Sequence, residues 1–244
     1  MKNRINVLFF LFIISALVFS CNKVKKTEAE IEREKWIAGF ADSVTFYQDK
    51  SKEIESRLET LNADINGMLE NFELIKNPRE VSGYYLLKGW SKKIPFTSTA
   101  IYARINENEK LELIATLAGS TFNRLGVGIG SPEFYSETVP HDQAFNFRHE
   151  RFNTVYFTGG KADTIAEYIA DHHPDRITLQ FFEGKKKKDF IIPNDEKDMI
   201  FQTWDLYSTK VEALKLQKEL WINSRKIETF RRIMDTEFQR QKEK

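Results

Sequence analysis

A single cysteine in 244 residues excludes an intrachain disulfide and any zinc site built from several thiolates. Charge of one sign is also missing. Against 37 Lys and Arg stand 36 Asp and Glu, so the basic footprint of a nucleic-acid-binding chain is absent and no nucleic-acid partner is expected. Ser120, Ser131 and Ser136 are possible nucleophiles, but none lies in the Gly-x-Ser-x-Gly elbow that exposes a hydrolase serine. Gly126-Val127-Gly128-Ile129-Gly130-Ser131-Pro132 lacks the Lys-Ser/Thr of a phosphate loop and runs into Pro and Glu instead of opening a helix. It reads as a glycine-rich strand leading to a turn, marking a close backbone approach. Long apolar runs are lacking too. The one run, Ile5 to Phe19, has 15 residues with Asn6 and Ser15 inside it, short of the ~20 needed to cross a bilayer.

That run follows Lys2 and Arg4 and ends just before Cys21, the layout of an export signal. Val18-Phe19-Ser20-Cys21 resembles the lipobox of bacterial lipoproteins, in which a small residue precedes the cysteine that receives diacylglycerol and becomes the mature N-terminus. The resemblance implies removal of residues 1–20, a covalent lipid on Cys21 with no other cofactor, and a lipid-anchored place in a bacterial cell envelope. Several acyl chains hold a protein on a membrane without a spanning helix. Lipidation also consumes the only thiol. Removal of Lys2 and Arg4 takes the 37 basic groups to 35 against 36 acidic ones. Residues 21–27, with Asn22-Lys23-Val24-Lys25-Lys26, form a basic tether or a solvated linker. Asn22 stands where lipoproteins kept in an inner membrane commonly carry Asp, so the resemblance favours an outer membrane, facing the periplasm.

Residues 28–77 read as one long helix. Ile37, Phe40, Val44, Tyr47, Ser51, Ile54, Leu58, Leu61, Ile65, Met68, Phe72 and Ile75 follow one another at alternating spacings of three and four, with polar residues between. At 1.5 Å per residue the seam spans about 58 Å, and Asn77-Pro78 closes it. Residues 194–244 read as a second long helix, opened by Pro193-Asn194-Asp195-Glu196. Its stripe runs through Ile200, Trp204, Tyr207, Val211 and Leu214, slips by two residues, and resumes at Leu216, Leu220, Ile227, Phe230 and Met234. The two stripes satisfy one another in an antiparallel pair within the chain, or each is covered by a second copy in a homo-oligomer.

Between the helices, residues 78–193 are rich in aromatic and β-branched residues with turn signals between short runs. Strands are expected at Tyr84–Trp90, Thr99–Ile105, Leu111–Ala118, Phe122–Ile129, Phe145–Glu150, Thr154–Thr158, Arg176–Glu183 and Asp189–Ile192. Asn106–Glu109 and Gly184–Lys188 are expected hairpin loops, and Lys161–His172 an amphipathic helix. The fold class is therefore α+β: a small, β-rich, sandwich-like or half-open-barrel head with one short helix, flanked by two long helices forming an antiparallel coiled-coil stalk. The strand order through Ala100–Arg104, Leu111–Ala118, Arg124–Gly128 and Phe145–Phe147, then Val155-Tyr156-Phe157-Thr158-Gly159-Gly160-Lys161-Ala162 leading into a helix, resembles the small β-sandwich of periplasmic accessory proteins typified by invasion-associated locus B proteins and VasI-like proteins. The resemblance covers roughly 100 residues in element order and implies a non-catalytic accessory or binding role. The paired cysteines common in those proteins are absent.

Chemistry-bearing residues are sparse. Asp171-His172-His173-Pro174-Asp175 is the densest set of potential metal ligands, with His172, His173 and Asp175 as the candidates. Neighbouring histidines on a helix point about 100° apart, however, and His at a helix end also complements the dipole. His141-Asp142 and His149-Glu150-Arg151 offer a general base beside a carboxylate, the minimum for a hydrolase. Trp90, Phe96, Phe134 and Tyr135 fall near strand ends or loops, where aromatic residues anchor a partner or stack on sugar. Lys186, within Lys185–Lys188, completes the candidate interaction surface. Non-enzymatic contact with an envelope protein is the leading expectation. Binding of a small molecule, glycan or lipid is the alternative, and hydrolase chemistry the third.

Overall fold

The computed structural model describes residues 26–76, 82–94, 98–136, 147–149 and 151–242. The expected signal, Cys21, Phe96, His141, Asp142 and Glu150 lie outside them. The described residues form a mixed α+β fold with three helices and two antiparallel sheets. In chain order these are α1 (Glu28–Leu69), β1 (Phe72–Ile75), β2 (Tyr84–Leu87), a 3-10 turn (Ser91–Lys93), β3 (Ala100–Asn106), β4 (Leu111–Ala118), β5 (Arg124–Ile129), β6 (Phe134–Tyr135), β7 (Phe147–His149), β8 (Phe152–Thr158), α2 (Gly160–Asp171), β9 (Ile177–Glu183), β10 (Lys186–Ile191) and α3 (Asn194–Lys242). Among the described residues no helix is long and apolar enough to cross a membrane. The described residues divide into two compact units, one of residues 26–52 with 221–242 and one within residues 53–220.

The first unit is helical. Thr27 starts α1 with a reciprocal cap: its Oγ1 accepts from the Glu30 N–H at 3.3 Å, and the Glu30 carboxylate accepts from the Thr27 N–H at 2.7 Å. The Thr27 N–H, and after it the Thr27 hydroxyl, hold the Glu30 carboxyl below its ordinary range. Within this unit α1 and α3 run antiparallel, because rising numbers on one meet falling numbers on the other. Arg33 pairs with Glu237, the Phe40 ring lies 5.5 Å from Phe230, and Tyr47 receives a 3.2 Å hydrogen bond from Lys226 Nζ. The interior has polar members. Ser51 is buried and donates to the Tyr47 carbonyl at 2.8 Å. Asn223 is buried as well, and its Nδ2 has no hydrogen-bond partner among the described residues.

The second unit holds both sheets. Sheet A has the order β1-β2-β3-β4-β8-β7 and sheet B the order β10-β9-β5-β6. Among the described residues neither sheet closes into a barrel. Leu86, Ile101, Leu113, Leu117 and Phe157 of sheet A share one core with Leu125, Leu179 and Phe181 of sheet B, Ile165 and Ile169 of α2, and Met199, Ile200 and Leu206 of α3. Each such side chain contributes ~1.5–3 kcal/mol by leaving water. Within this unit Ile54 and Leu58 of α1 also pack on Ala213 of α3, and Arg57 pairs with Glu212.

The first turns of α3 finish sheet A. β2 pairs with β3 only at Ile105 and Asn106, leaving the earlier β3 amides uncovered. Glu196 accepts from the Ile101 N–H at 2.9 Å and Met199 Sδ from the Ala103 N–H at 3.4 Å. A helix thus occupies an edge that would otherwise invite another strand. Beside it Lys197 donates to the carbonyls of His173 and Asp175 at 2.9 and 2.6 Å, capping the C-terminal end of α2, where a cation also meets the negative end of the dipole.

Three expectations are corrected here. α1 ends at Leu69, not at residue 77: Phe72 and Ile75 keep the heptad spacing, but Glu70 and Asn71 make a turn and both residues enter β1 against β2. On α3 Leu214 is 46% exposed, while Ala213, one residue earlier, is buried. The inward stripe passes through Thr203, Leu206, Ala213, Leu220, Asn223 and Ile227 without the two-residue slip, using small and polar residues where a hydrophobic count expects large apolar ones. Finally, the β9–β10 turn has only Gly184 and Lys185 at its tip, because Glu183 pairs with Lys186. Gly184 at φ +60° supplies the positive φ that a two-residue hairpin needs. Lys186, Lys187 and Lys188 therefore belong to a strand rather than a loop.

Candidate interaction surface

The glycines of β5 have a steric cause. A Cβ on Gly128 would stand 2.0 Å from the Ser131 carbonyl oxygen, and one on Gly126 2.9 Å from Pro132 Cβ. The chain folds back over its own strand, with the Glu133 N–H donating to the Val127 carbonyl at 2.8 Å and the Ser131 N–H to Ile129 at 3.0 Å. That fold-back delivers Phe134 and Tyr135 to the edge of sheet B, where Tyr135 pairs with Gly126. Ser136 secures the far end: its Oγ accepts from the Leu125 N–H at 2.8 Å, which commits this serine to structure.

From that edge a row of side chains crosses the outer face of sheet B. Strand alternation puts Arg124, Phe182, Lys187 and Tyr135 on the face opposite the core residues Leu125, Val127 and Phe181. The Arg124 guanidinium lies 4.9 Å from the Tyr135 ring and 4.7 Å from the Phe182 ring, and the two rings are 5.8 Å apart. A guanidinium over an aromatic face is attracted by the ring quadrupole. Among the described residues no carboxylate pairs with Arg124. Tyr135 is 52% exposed, and Ile191, on the same face of β10, is 45% exposed.

Beneath the edge, Tyr168 of α2 ties the fold-back to the core. Its hydroxyl donates to Glu133 at 2.9 Å and accepts from the Ile129 N–H at 3.2 Å, while Phe134 meets its ring edge-on at 5.2 Å. Burial, then the bond to Glu133, pushes the Tyr168 hydroxyl up from its ordinary range. His172 stacks on Tyr168 at 4.2 Å and its Nδ1 lies 2.9 Å from the Tyr168 carbonyl. His173 contacts Asp198 through Nε2 and the Phe201 ring at 5.1 Å. The two histidines thus serve different neighbours, and the Asp175 carbonyl serves Lys197. Among the described residues no group of three or more His, Cys, Asp or Glu is arranged to hold a metal ion.

The expected surface residues are only partly brought together. Phe134 and Tyr135 are exposed on sheet B, and Lys186 is exposed on the opposite edge strand of the same sheet. Trp90 is a correction. It is only 7% exposed and belongs to the core, with Lys93 Nζ 4.0 Å above its ring, so the turn after β2 tucks it inward. Arg124 and Phe182 were not singled out by sequence reading. The signal available was alternation, since both stand on the face opposite Leu125 and Phe181, but only the register of β5 with β9 shows that they meet.

Two acids with raised carboxyls, buried Glu196 and half-buried Asp163, lie elsewhere. Burial pushes the Glu196 carboxyl up to about 7, against the opposing effect of the Ile101 amide. Asp163 on α2 is raised by burial and lowered by its bond to the Tyr207 hydroxyl. No protein-family model, curated protein or solved structure matches this chain.

Proposed function

We propose that this is a non-enzymatic, membrane-anchored envelope lipoprotein that presents its β-rich part on a long coiled-coil stalk of α1 and α3 to contact another envelope protein. The observation that carries the reading is the aromatic and cationic row on the outer face of sheet B, with exposed Tyr135 and half-buried Phe182 around half-buried Arg124. Interface anchors are enriched in Tyr and Arg, and rigid aromatic neighbours reduce the entropy lost on binding. The stalk is supported by the antiparallel contact of α1 with α3 inside each unit. The anchor rests on the resemblance of Val18–Cys21 to a lipobox, and the outer membrane on Asn22.

Two experiments test it. Metabolic labelling with a palmitate analogue labels the wild type and not Cys21→Ala; equal labelling of both removes the anchor. Photo-crosslinking residues at Lys186 and Ile191, in membrane-anchored protein in native cells, give one discrete heterologous adduct. Adducts only between copies of the chain, or none, contradict the reading.

A further inference from the structure

The partner's chemistry can be read from the charge around Arg124. Lys185, Lys186, Lys187, Lys188 and Arg124 gather on the β9–β10 hairpin and the neighbouring strand, and among the described residues of these strands only Glu183 and Asp189 are acidic. Glu183 is engaged by the Thr121 hydroxyl. Lys188 is turned toward Ala118, whose carbonyl it reaches at 2.9 Å. On the outer face this places Lys187 and Arg124 on either side of Phe182, with Tyr135 beyond and a single carboxylate, Asp189, two residues along β10 from Lys187 and opposite Gln180. The row is therefore cation, ring, cation, ring across the four strands, at a strand spacing of ~4.8 Å.

We infer that this face docks an acidic segment of a partner protein, with Arg124 as the anchor that takes a carboxylate between Tyr135 and Phe182. The inference rests on the protein-contact reading above. Three features favour it. Arg124 has two rings to hold it and no carboxylate among the described residues to neutralise it, so its planar donors remain for a bidentate acceptor. Tyr135 and Ile191 add apolar area on the same face, which a protein segment covers and a lone anion does not. Among the described residues no strand pairs with the second edge of β10. The lysines along that edge repel another basic strand and complement an acidic one.

The test uses the full chain in neutral detergent micelles and two fluorescein-labelled probes, a peptide of four Glu-Phe repeats and its Gln-Phe counterpart, followed by anisotropy. The Glu peptide is expected to bind in a salt-sensitive manner and the Gln peptide at least tenfold more weakly. Arg124→Ala should weaken the Glu peptide roughly tenfold or more, and Arg124→Lys should recover little, since an ammonium lacks the fork. Equal binding of both peptides, or an unchanged affinity in Arg124→Ala, overturns the inference. So does binding to phosphatidylglycerol vesicles with no binding to the Glu peptide, which would assign the face to lipid. An in-cell adduct from Lys186 that persists undiminished in Arg124→Ala also overturns it while leaving the protein-contact reading intact; loss of every heterologous adduct in the wild type sinks that reading itself.

Discussion

Two arginines in this molecule each sit between two aromatic rings, and they are opposites in every other respect. Arg104 of sheet A lies 3.9 Å from the Tyr84 ring and 5.3 Å from Tyr156, with its side chain 8% exposed. Its Nε donates to Glu112 at 2.6 Å, and the second Glu112 oxygen accepts from Asn106 at 3.0 Å. Arg124 of sheet B has rings at similar distances but no carboxylate paired with it among the described residues, and it is half-buried. The first cation is a closed unit, with its charge neutralised and its partner's oxygens occupied. The second is open. The same residue types at the same spacing hold a fold together in one sheet and leave a charge available in the other.

The comparison breaks most visibly at Glu112. Glu112→Ala leaves the buried Arg104 cation unpaired and should cost about 3–5 kcal/mol, read as a shift of the urea midpoint at constant slope. A loss below 1 kcal/mol would show that Arg104 does not depend on its acid.

Glu196 sharpens the rule that charge around sheet A must be neutralised. Its folded pKa of about 7 stands above the ordinary value of 4.5, so the folded state holds the proton more tightly than the unfolded chain. Its stabilising contribution is full below about 4.5 and is lost as pH rises through 7, a swing of roughly 3 kcal/mol. Glu196→Gln, which can still accept from the Ile101 N–H, should flatten the stability profile between pH 5 and 8 and exceed the wild type at pH 8. Parallel profiles for the two proteins would contradict this assignment.

Gly128→Ala probes how sheet B is built. The added methyl meets the Ser131 carbonyl, so the fold-back must shift, at about 1–3 kcal/mol. Phe134 and Tyr135 should lose their fixed positions, visible as changed amide shifts in β6. The smallest effect on stability belongs to Arg124→Ala, expected within about 0.5 kcal/mol of wild type because Arg124 is only half-buried and among the described residues leaves no carboxylate unpaired.

Much of this architecture was legible in the chain. β4 was read residue for residue, the other expected strands overlap β2, β3, β5 and β7 to β10, and the short helix was placed within a residue of α2. The α1 stripe from Ile37 to Met68 is the helix's more buried face. What escaped had physical causes. β1 hid inside the heptad because Phe72 and Ile75 obey its spacing, and only the turn at Glu70-Asn71 separates them from the helix. Ala213, Asn223 and Glu237 escaped because close helix packing admits small and polar residues that a hydrophobic pattern does not score. The lysine run looked like a loop because charge usually marks one, yet the tight turn at Gly184 sends it into an edge strand. The Arg124 cluster was illegible for a different reason: it joins β5, β6 and β9, residues far apart in sequence that only the sheet register brings together.

The central claim is that the cation–ring cluster of sheet B serves contact and that of sheet A serves stability. It is tested most directly by measuring, for Arg124→Ala in one preparation of the full chain from native cells, both the thermal midpoint and the yield of any heterologous adduct from a photo-crosslinker at Ile191. The account predicts an unchanged midpoint and loss of most of the adduct. A lowered midpoint with the adduct retained would contradict it, because Arg124 would then be a structural residue like Arg104.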